Sequence, residues 1–475
     1  MQNNTKLTLE NCRKGVFLHW KIVAMIRRKL DKYIVNHYDT SKSALLLTGA
    51  RQTGKTFAIR KYAETAGYDL LEINFLESPA ATRIFHDTTD AAEVLLRISA
   101  FAKKRLVPNT TFIFFDEVQR CPEAVTMIKF LVDEGSYRYA LSGSLLGVEL
   151  KNVRSVPVGY MASKTVYPLD MEEFFGAVGV SDEVLESVRK AWQKGDKVDE
   201  VVHRTLMKLV QLYSVVGGMP AAVQAYIDTN DINVVQDKQK EILSMYKWDI
   251  SQYDPATKLF INEIFDLIPS ELNAKNKRFV YKNLNEGSRF SRYENGFVWL
   301  KEAGAVLPVY NVVEPKFPLR LSEQRNLFKL FQNDVGLLTC QYAEGTALSV
   351  LSDETDINFG AIYENVVAEE LVAHGFPLHY FNSKKQGELD FVIEQGNLIV
   401  PIEVKSGKDY ERHRALNSVL SNADYAMEKA FVFCNANSRT EGNIRYAPIY
   451  MLMFLQRETQ SAQPQLFKVD LSGVD

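Results

Sequence analysis

Only four cysteines occur in 475 residues, Cys12, Cys121, Cys340 and Cys434, and no two share a C-x-x-C spacing. That scarcity excludes a disulfide scaffold, argues against a zinc site and fits a reducing compartment. Also missing is any apolar run near the roughly 20 residues that a membrane-spanning helix needs. The stretch GVFLHWKIVAMI (15–26) is broken by His19 and Lys21, and no signal-cleavage pattern follows it. It reads as an amphipathic helix, or as an extension ahead of an opening helix MIRRKLDKYI that begins at Met25. Charge of one sign is lacking too. With 56 basic against 59 acidic residues there is no overall field to draw nucleic acid, so any such surface must be local. The expectation is a soluble, cytoplasmic protein with no membrane partner.

What is present is ample core material. Hydrophobic residues make up 46% of the chain, and the length suggests two to four domains. In SALLLTGARQTGKTFAIRKYAETAG a short apolar strand passes through a glycine-rich turn into an amphipathic helix. Gly49-x-x-x-x-Gly54-Lys55-Thr56 suits that turn because glycines let successive N–H groups point inward, and the helix N-terminus adds partial positive charge. Gly49, Ala50, Arg51, Gln52, Thr53, Gly54, Lys55, Thr56 and Phe57 are the expected nucleotide contacts. Lys55 reaches the β- and γ-phosphates, and the Thr56 hydroxyl joins a Mg²⁺ shell.

A phosphate loop needs a strand ending in acid, and TFIFFDEVQ (111–119) supplies one. The apolar run reads as a strand buried on both faces of a parallel sheet, with Asp116 emerging at its C-terminal end to hold Mg²⁺. Glu117 is placed to orient or deprotonate an attacking water. A further strand, YRYALSGSLLG (137–147), ends in small polar residues. Ser144 there is either a γ-phosphate contact or part of a plain turn. YDLLEINFLE (68–77) adds one more strand between loop and acid, a mark of the ATPase branch that uses a glutamate base.

The strings GARQTGKT, FFDEVQRCPE, LSGSLLG, YPLDMEEFF (167–175) and VVGGMPAAVQAYI (215–227) together resemble the bacterial AAA-type ATP-binding proteins with a C-terminal DUF4143 region. The resemblance covers roughly residues 25–450. It implies an α/β fold: a three-layer α/β/α P-loop NTPase core, a helical lid, a winged helix and a PD-(D/E)xK nuclease-like domain, with ATP and Mg²⁺ as cofactors. Many relatives carry an arginine soon after the third strand. Here VPVGYMASK (156–164) puts Tyr160 at that place, leaving Arg154, or an arginine from a neighbouring copy in an oligomer, as the source of that charge.

The expected division is an extension (1–24), the ATPase core (25–165), the lid (166–250), a winged-helix-like domain (251–345), a nuclease-like domain (346–459) and a polar tail (460–475). In the third domain ATKLFINEIFDLIPSEL (256–272), KNKRFVYKNLN (275–285) and SRYENGFVWLKEAGAVLPVYNV (291–312) read helix, helix, helix, strand. Lys275, Lys277, Arg278, Lys282, Arg289 and Arg292 gather positive charge there. The face either binds DNA phosphates or packs against protein with its charges solvated.

Near the end, GELDFVIEQGNLIVPIEVKSGKD (387–409) reads as two strands around a tight turn. Side chains alternate along a strand. Leu389, Phe391 and Ile393 therefore face one way and Asp390 the other, while Glu403 and Lys405 lie opposite the apolar Leu398, Val400, Ile402 and Val404. A turn at Gln395-Gly396 sets Asp390 across from Pro401 and diagonal to Glu403, near enough to share a cation. GAIYENVVAEELVAHG (360–375) is a helix offering Glu364 as a further ligand. Glu364, Asp390, Glu403 and Lys405 match the nuclease pattern of the resembled family. Three readings follow: an ATPase whose nucleotide state moves the later domains, with or without DNA; an ATP-regulated metal-dependent nuclease; and a non-catalytic regulator that docks a partner.

Overall fold

The computed structural model describes residues 26–144, 159–251, 255–274, 276–280, 284, 290–343, 345–352, 359–425 and 427–458. Its first sheet contains β1 (Ala44–Thr48), β2 (Asp69–Asn74), β3 (Thr111–Asp116), β4 (Arg138–Ser142) and β5 (Met161–Thr165). The strands are all parallel in the order β2-β3-β4-β1-β5. The apolar run of β3 is explained by what lies on each face. Phe112 and Phe114 pack with Leu30, Ile34 and Ile59, from helices α1 (Lys29–Thr40) and α2 (Lys55–Thr65). Ile113 and Phe115 pack with Val94, Ile98 and Ile128, from α3 (Ala91–Ala102) and α4 (Pro122–Glu134). A strand between two helical layers cannot alternate with polar residues, and the core has the expected three layers. The strand that separates β1 from β3 in space is β4; β2 lies at the sheet edge.

The lid region holds α5 (Met171–Ala177), α6 (Asp182–Lys194), α7 (Glu200–Val216), α8 (Pro220–Thr229) and α9 (Ile232–Ser251). Asp170, Ser181 and Asp199 cap the first three by accepting bonds from first-turn amides. The GGMP break falls between α7 and α8, with Pro220 at the first helical position, where its missing N–H costs little.

Then come α10 (Pro255–Asn273), α11 (Phe290–Glu302), β6 (Val306–Val312), β7 (Glu323–Gln332), α12 (Val335–Cys340), α13 (Thr346–Leu351) and α14 (Phe359–Ala373). They are followed by β8 (His379–Ser383), β9 (Gly387–Gln395), β10 (Leu398–Val404), α15 (Arg414–Leu420), β11 (Ala430–Cys434), β12 (Arg439–Glu441) and β13 (Ile444–Pro448). Here the winged-helix expectation is corrected. The helix read over 275–285 is absent from its described residues. Residues 277–280 run without helix, and the Phe279 amide bonds the Phe328 carbonyl of β7 at 3.0 Å. The β6–β7 pair is not a separate wing: β6 also pairs with β8 in parallel. One mixed sheet of order β12-β13-β11-β10-β9-β8-β6-β7 thus runs across the division expected near residue 345. A single apolar core joins the lid helices, α11, α14 and one face of this sheet.

The lid is pinned to this sheet through Gly217. The buried Asp334 carboxylate accepts bonds from Gly218 N at 2.6 Å and Leu337 N at 3.0 Å. Gly217 has φ +71° and ψ −169°, a region essentially restricted to glycine. A Cβ there would lie 2.1 Å from Asp334 Oδ1. Gly217→Ala is therefore expected to destabilise the fold by about 2 kcal/mol or more, seen as a lower thermal midpoint. An unchanged midpoint would contradict this packing.

Candidate functional site

Between β1 and α2 the backbone wraps through Gly49 (φ +118°) and Gly54 (φ +90°), conformations that glycine adopts freely. A Cβ on Gly49 would stand 2.3 Å from the Val166 carbonyl oxygen, so no side chain fits. Thr53 Oγ1 donates to Ala50 O at 3.0 Å and closes the wrap. The amides that open α2 lack helical partners and carry the positive end of its dipole. Lys55 is folded back, with Nζ donating to Gly49 O at 3.0 Å and Ala50 O at 2.6 Å. Burial draws its ammonium down to about 8, while Glu117 and Asp116 pull the other way. Phe57, one turn into α2, is 55% exposed.

Asp116 is held by four donors. Its Oδ2 accepts from Thr56 Oγ1 at 3.1 Å and Asn74 Nδ2 at 3.2 Å; its Oδ1 accepts from Glu117 N at 3.1 Å and from the Ser142 hydroxyl. Burial raises its carboxyl above the usual range, and the Ser142 bond opposes that. Glu117 sits at φ +56° and ψ +47°, left-handed backbone that is uncommon outside glycine and is often found at functional sites. Its carboxylate accepts from Ser144 Oγ at 3.3 Å and from Gln119 Nε2 at 2.5 Å. Lys55, Thr56, Asp116, Glu117 and Ser144 thus gather at the C-terminal end of the sheet, as α/β sheets bind ligands.

Asn74, Ser142 and Gln119 were not singled out from the sequence, although Asn74 pairs with Asp116 in register and both end apolar strands. Tyr160 does not join them. It precedes β5, and its carbonyl accepts from Ala44 N at the start of β1, the far end of the sheet from the loop. Arg154 lies outside the described residues.

Other elements grip the loop directly. Arg28 donates to Thr53 O at 3.3 Å, to Tyr167 O at 2.9 Å and to Glu173 Oε2 at 2.9 Å. Arg51 pairs with Asp249 of α9 at 2.6 Å. Gly304, between α11 and β6, leaves so little space that a Cβ would lie 2.9 Å from Ala50 N. Beside these contacts opens a cleft of about 1080 Å³, walled by Gly49, Ala50 and Ser144 on one side and by Lys301 and Gly304 on the other.

The second candidate site differs from expectation in register. The turn is Gly396-Asn397, and Pro401 pairs with Val392, not Asp390. Continuing that register sets Asp390 opposite Glu403. Alternation along β9 is also interrupted. Leu389 packs with Val392 in one core, while Phe391 and Ile393 pack in another, and the pairing with β8 slips between His379 and Phe381.

Glu364, Asp390, Glu403 and Lys405 do converge, but with added cations. Glu364 is bound by Lys277 and lies 3.4 Å from Lys329. Lys329 is fully buried and also reaches Glu388 at 2.9 Å, and Arg278 stands 3.9 Å from Glu388. Lys405 pairs with Glu403 at 2.8 Å, and Asp390 Oδ2 accepts from Val404 N at 2.9 Å. Burial, then Asp390, pushes the Glu403 carboxyl up to about 8 against the pull of Lys405. Deleting one member of so buried a pair as Lys329–Glu364 costs on the order of 3–5 kcal/mol. Lys329 was missed, although a lone lysine inside LFKLFQ was a readable signal. Lys277 and Arg278 are engaged here rather than on an open basic face; Lys275, Lys282 and Arg289 lie outside the described residues.

The wrapped loop, the acid-ended strand next but one in the sheet and the parallel order define a P-loop ATPase of the α/β/α type. Residues 41–175 match the family model of an AAA domain, 207–347 that of a domain of unknown function (DUF8612) and 359–452 that of another (DUF4143). The chain is an AAA-type ATP-binding protein with a C-terminal DUF4143 domain. No curated protein matches it. Among solved structures it is similar to the Walker-type ATPase PABY2304 of Pyrococcus abyssi, at 13% identity over 67% of this chain and 96% of that one, with a TM-score of 0.40. The Aeropyrum pernix Orc1 protein in complex with DNA matches at 15% identity over 66% and 87%, with a TM-score of 0.27. Cdc6p of Pyrobaculum aerophilum matches at 13% over 66% and 88%, with a TM-score of 0.22.

Because the Lys55 ammonium titrates near 8, its charge is present below that pH and lost above it. ATP affinity is therefore expected to fall by up to about tenfold per pH unit above pH 8. Lys55→Met should bind weakly at every pH and lose this slope, as read by calorimetric titration. A wild-type affinity that stays flat from pH 7 to 9.5 would contradict the assignment.

Proposed function

We propose that the chain hydrolyses ATP with Mg²⁺ at the loop between β1 and α2, and that the nucleotide state repositions the lid and the C-terminal sheet. Thr56 and Asp116 present neighbouring hard oxygens, a donor set that fits Mg²⁺ with its retained waters. Bound there, the ion would neutralise charge on the phosphate oxygens. Lys55 adds positive charge toward the phosphates, Glu117 orients and deprotonates the attacking water, and Ser144 holds Glu117 in place. The three described cysteines are free, which suits a reducing cytoplasm. No single described helix is long and apolar enough to cross a membrane.

One observation carries the coupling: two consecutive loop residues are held by elements outside the core. Ala50 abuts Gly304, and Arg51 is paired with Asp249. Phosphates drawn to these amides and to Arg51 compete with those contacts, so occupancy of the loop alters the fit of α9 and of the turn before β6. An action on DNA would rest on Lys275, Lys282, Arg289 or Arg292, since Lys277 and Arg278 are bound to carboxylates.

Glu117→Gln is expected to lower turnover at least a hundredfold while keeping ATP binding. In that trapped form, hydrogen exchange at residues 246–251 and 303–306 should differ between nucleotide-free and ATP-bound protein. Unchanged exchange with ATP bound would refute the coupling and leave the ATPase assignment standing. Undiminished turnover in Glu117→Gln would refute its role as base.

A further inference from the structure

A nuclease centre of the PD-(D/E)xK kind needs carboxylate oxygens free to face one hard cation and a local excess of negative charge. The described residues around Asp390 offer a small open cleft lined by Glu388, Asp390, Glu403 and Lys405, but no excess of negative charge. Four acids meet there, Glu364, Glu388, Asp390 and Glu403, and four cations of the same chain meet them, Lys277, Arg278, Lys329 and Lys405. The count is balanced. Asp390 spends Oδ2 on the Val404 amide, and Glu403 holds Lys405 at 2.8 Å. Among the described residues no three His, Cys, Asp or Glu side chains stand as a metal-holding group.

Placement makes the balance durable. Lys329 stands inside β7 with no solvent exposure, and β7 is the edge strand bonded to β6. Its ammonium lies between Glu364 of α14 and Glu388 of β9. With its backbone held in β7 and its side chain buried, Lys329 leaves these two carboxylates only by giving up both ion pairs. Lys277 differs: it comes from the irregular 277–280 segment and keeps 17% of its side chain exposed.

We infer that Lys329 and Lys277 occupy the electrostatic place of the divalent cation, so that the second site is a self-neutralised ion cluster that binds no metal and cuts no phosphodiester. The domain then serves as a rigid mount for β6 and β7 and not as a nuclease. This stands apart from the ATPase reading, because it is tested without nucleotide.

The test is Mn²⁺ binding to the full chain, followed by the paramagnetic resonance of free Mn²⁺, in wild type, Asp390→Asn, Lys277→Met and the double variant. Any ion held near Thr56 and Asp116 is common to all four and cancels. Wild type and Asp390→Asn should give superimposable curves. Lys277→Met should gain one Mn²⁺ per chain, and the double variant should lose it again. Circular dichroism checks folding, with Lys277→Gln replacing a Lys277→Met chain that fails to fold. Mn²⁺ uptake by wild type that drops in Asp390→Asn would overturn the inference, as would Mn²⁺-dependent plasmid nicking abolished by that change. A folded Lys277 variant that gains no ion would overturn the role given to lysine.

Discussion

Backbone amides can grip a triphosphate only if they are turned inward before it arrives, because turning them afterwards would cost the ordering entropy of the whole loop. In this chain the wrap between β1 and α2 is held from several sides. Val166 closes against Gly49, Thr53 bonds back to Ala50, Arg28 reaches Thr53, and Gly304 fits against Ala50. The β-sheet supplies the anchor and the later domains supply the clamp. Gly304 and Asp249 lie far downstream of the loop, and their contacts tie it to elements outside the nucleotide-binding core.

Helix α14 shows why those elements behave as one body. It is buried on every side, as a helix apolar all round must be, yet it carries Glu364, Asn365, Glu369 and Glu370. Each has a partner on a different element. Asn365 trades two bonds with the backbone of Gln332 in β7, and Glu370 accepts from Met171 N at the start of α5. Asp170, one residue earlier, caps α5 and pairs with Lys29 of α1 at 2.7 Å. Next to Lys29 is Arg28, which touches the phosphate loop. Buried polar groups are costly unless satisfied, so these bonds fix the lid, α14 and the first helix of the core in one arrangement.

The readable parts of the sequence were those in which chemistry and element coincide locally. GARQTGKT is both the turn and the site. FIFFD is both the buried strand and the acid, and GGMP marks a helix end by its own backbone needs. The misread parts were those set by distant partners. KNKRFVYKNLN lies between two helical stretches and is readable as a third, but Phe279 is bonded to β7 and residues 277–280 have no helical turn. In the hairpin at 387–404 the strands are legible but the turn reads one residue early, because both QG and GN suit a tight turn while the register is decided by packing. The slip along β9 depends on β8, and nothing within GELDFVI reveals it.

Sequence alone determined the nucleotide loop, the Asp116–Glu117 pair and the three-layer core, because each rests on spacing within a few residues and on the periodicity of one strand or helix. Tertiary structure decided which cations the second carboxylate set meets. Asp390, Glu403 and Lys405 are close in the chain, but Lys277 and Lys329 come from segments far along it, and their charges become partners only when α14, β7 and β9 are packed together. Electrostatic energy in a buried site depends on distance and desolvation, and neither quantity is written in the order of residues.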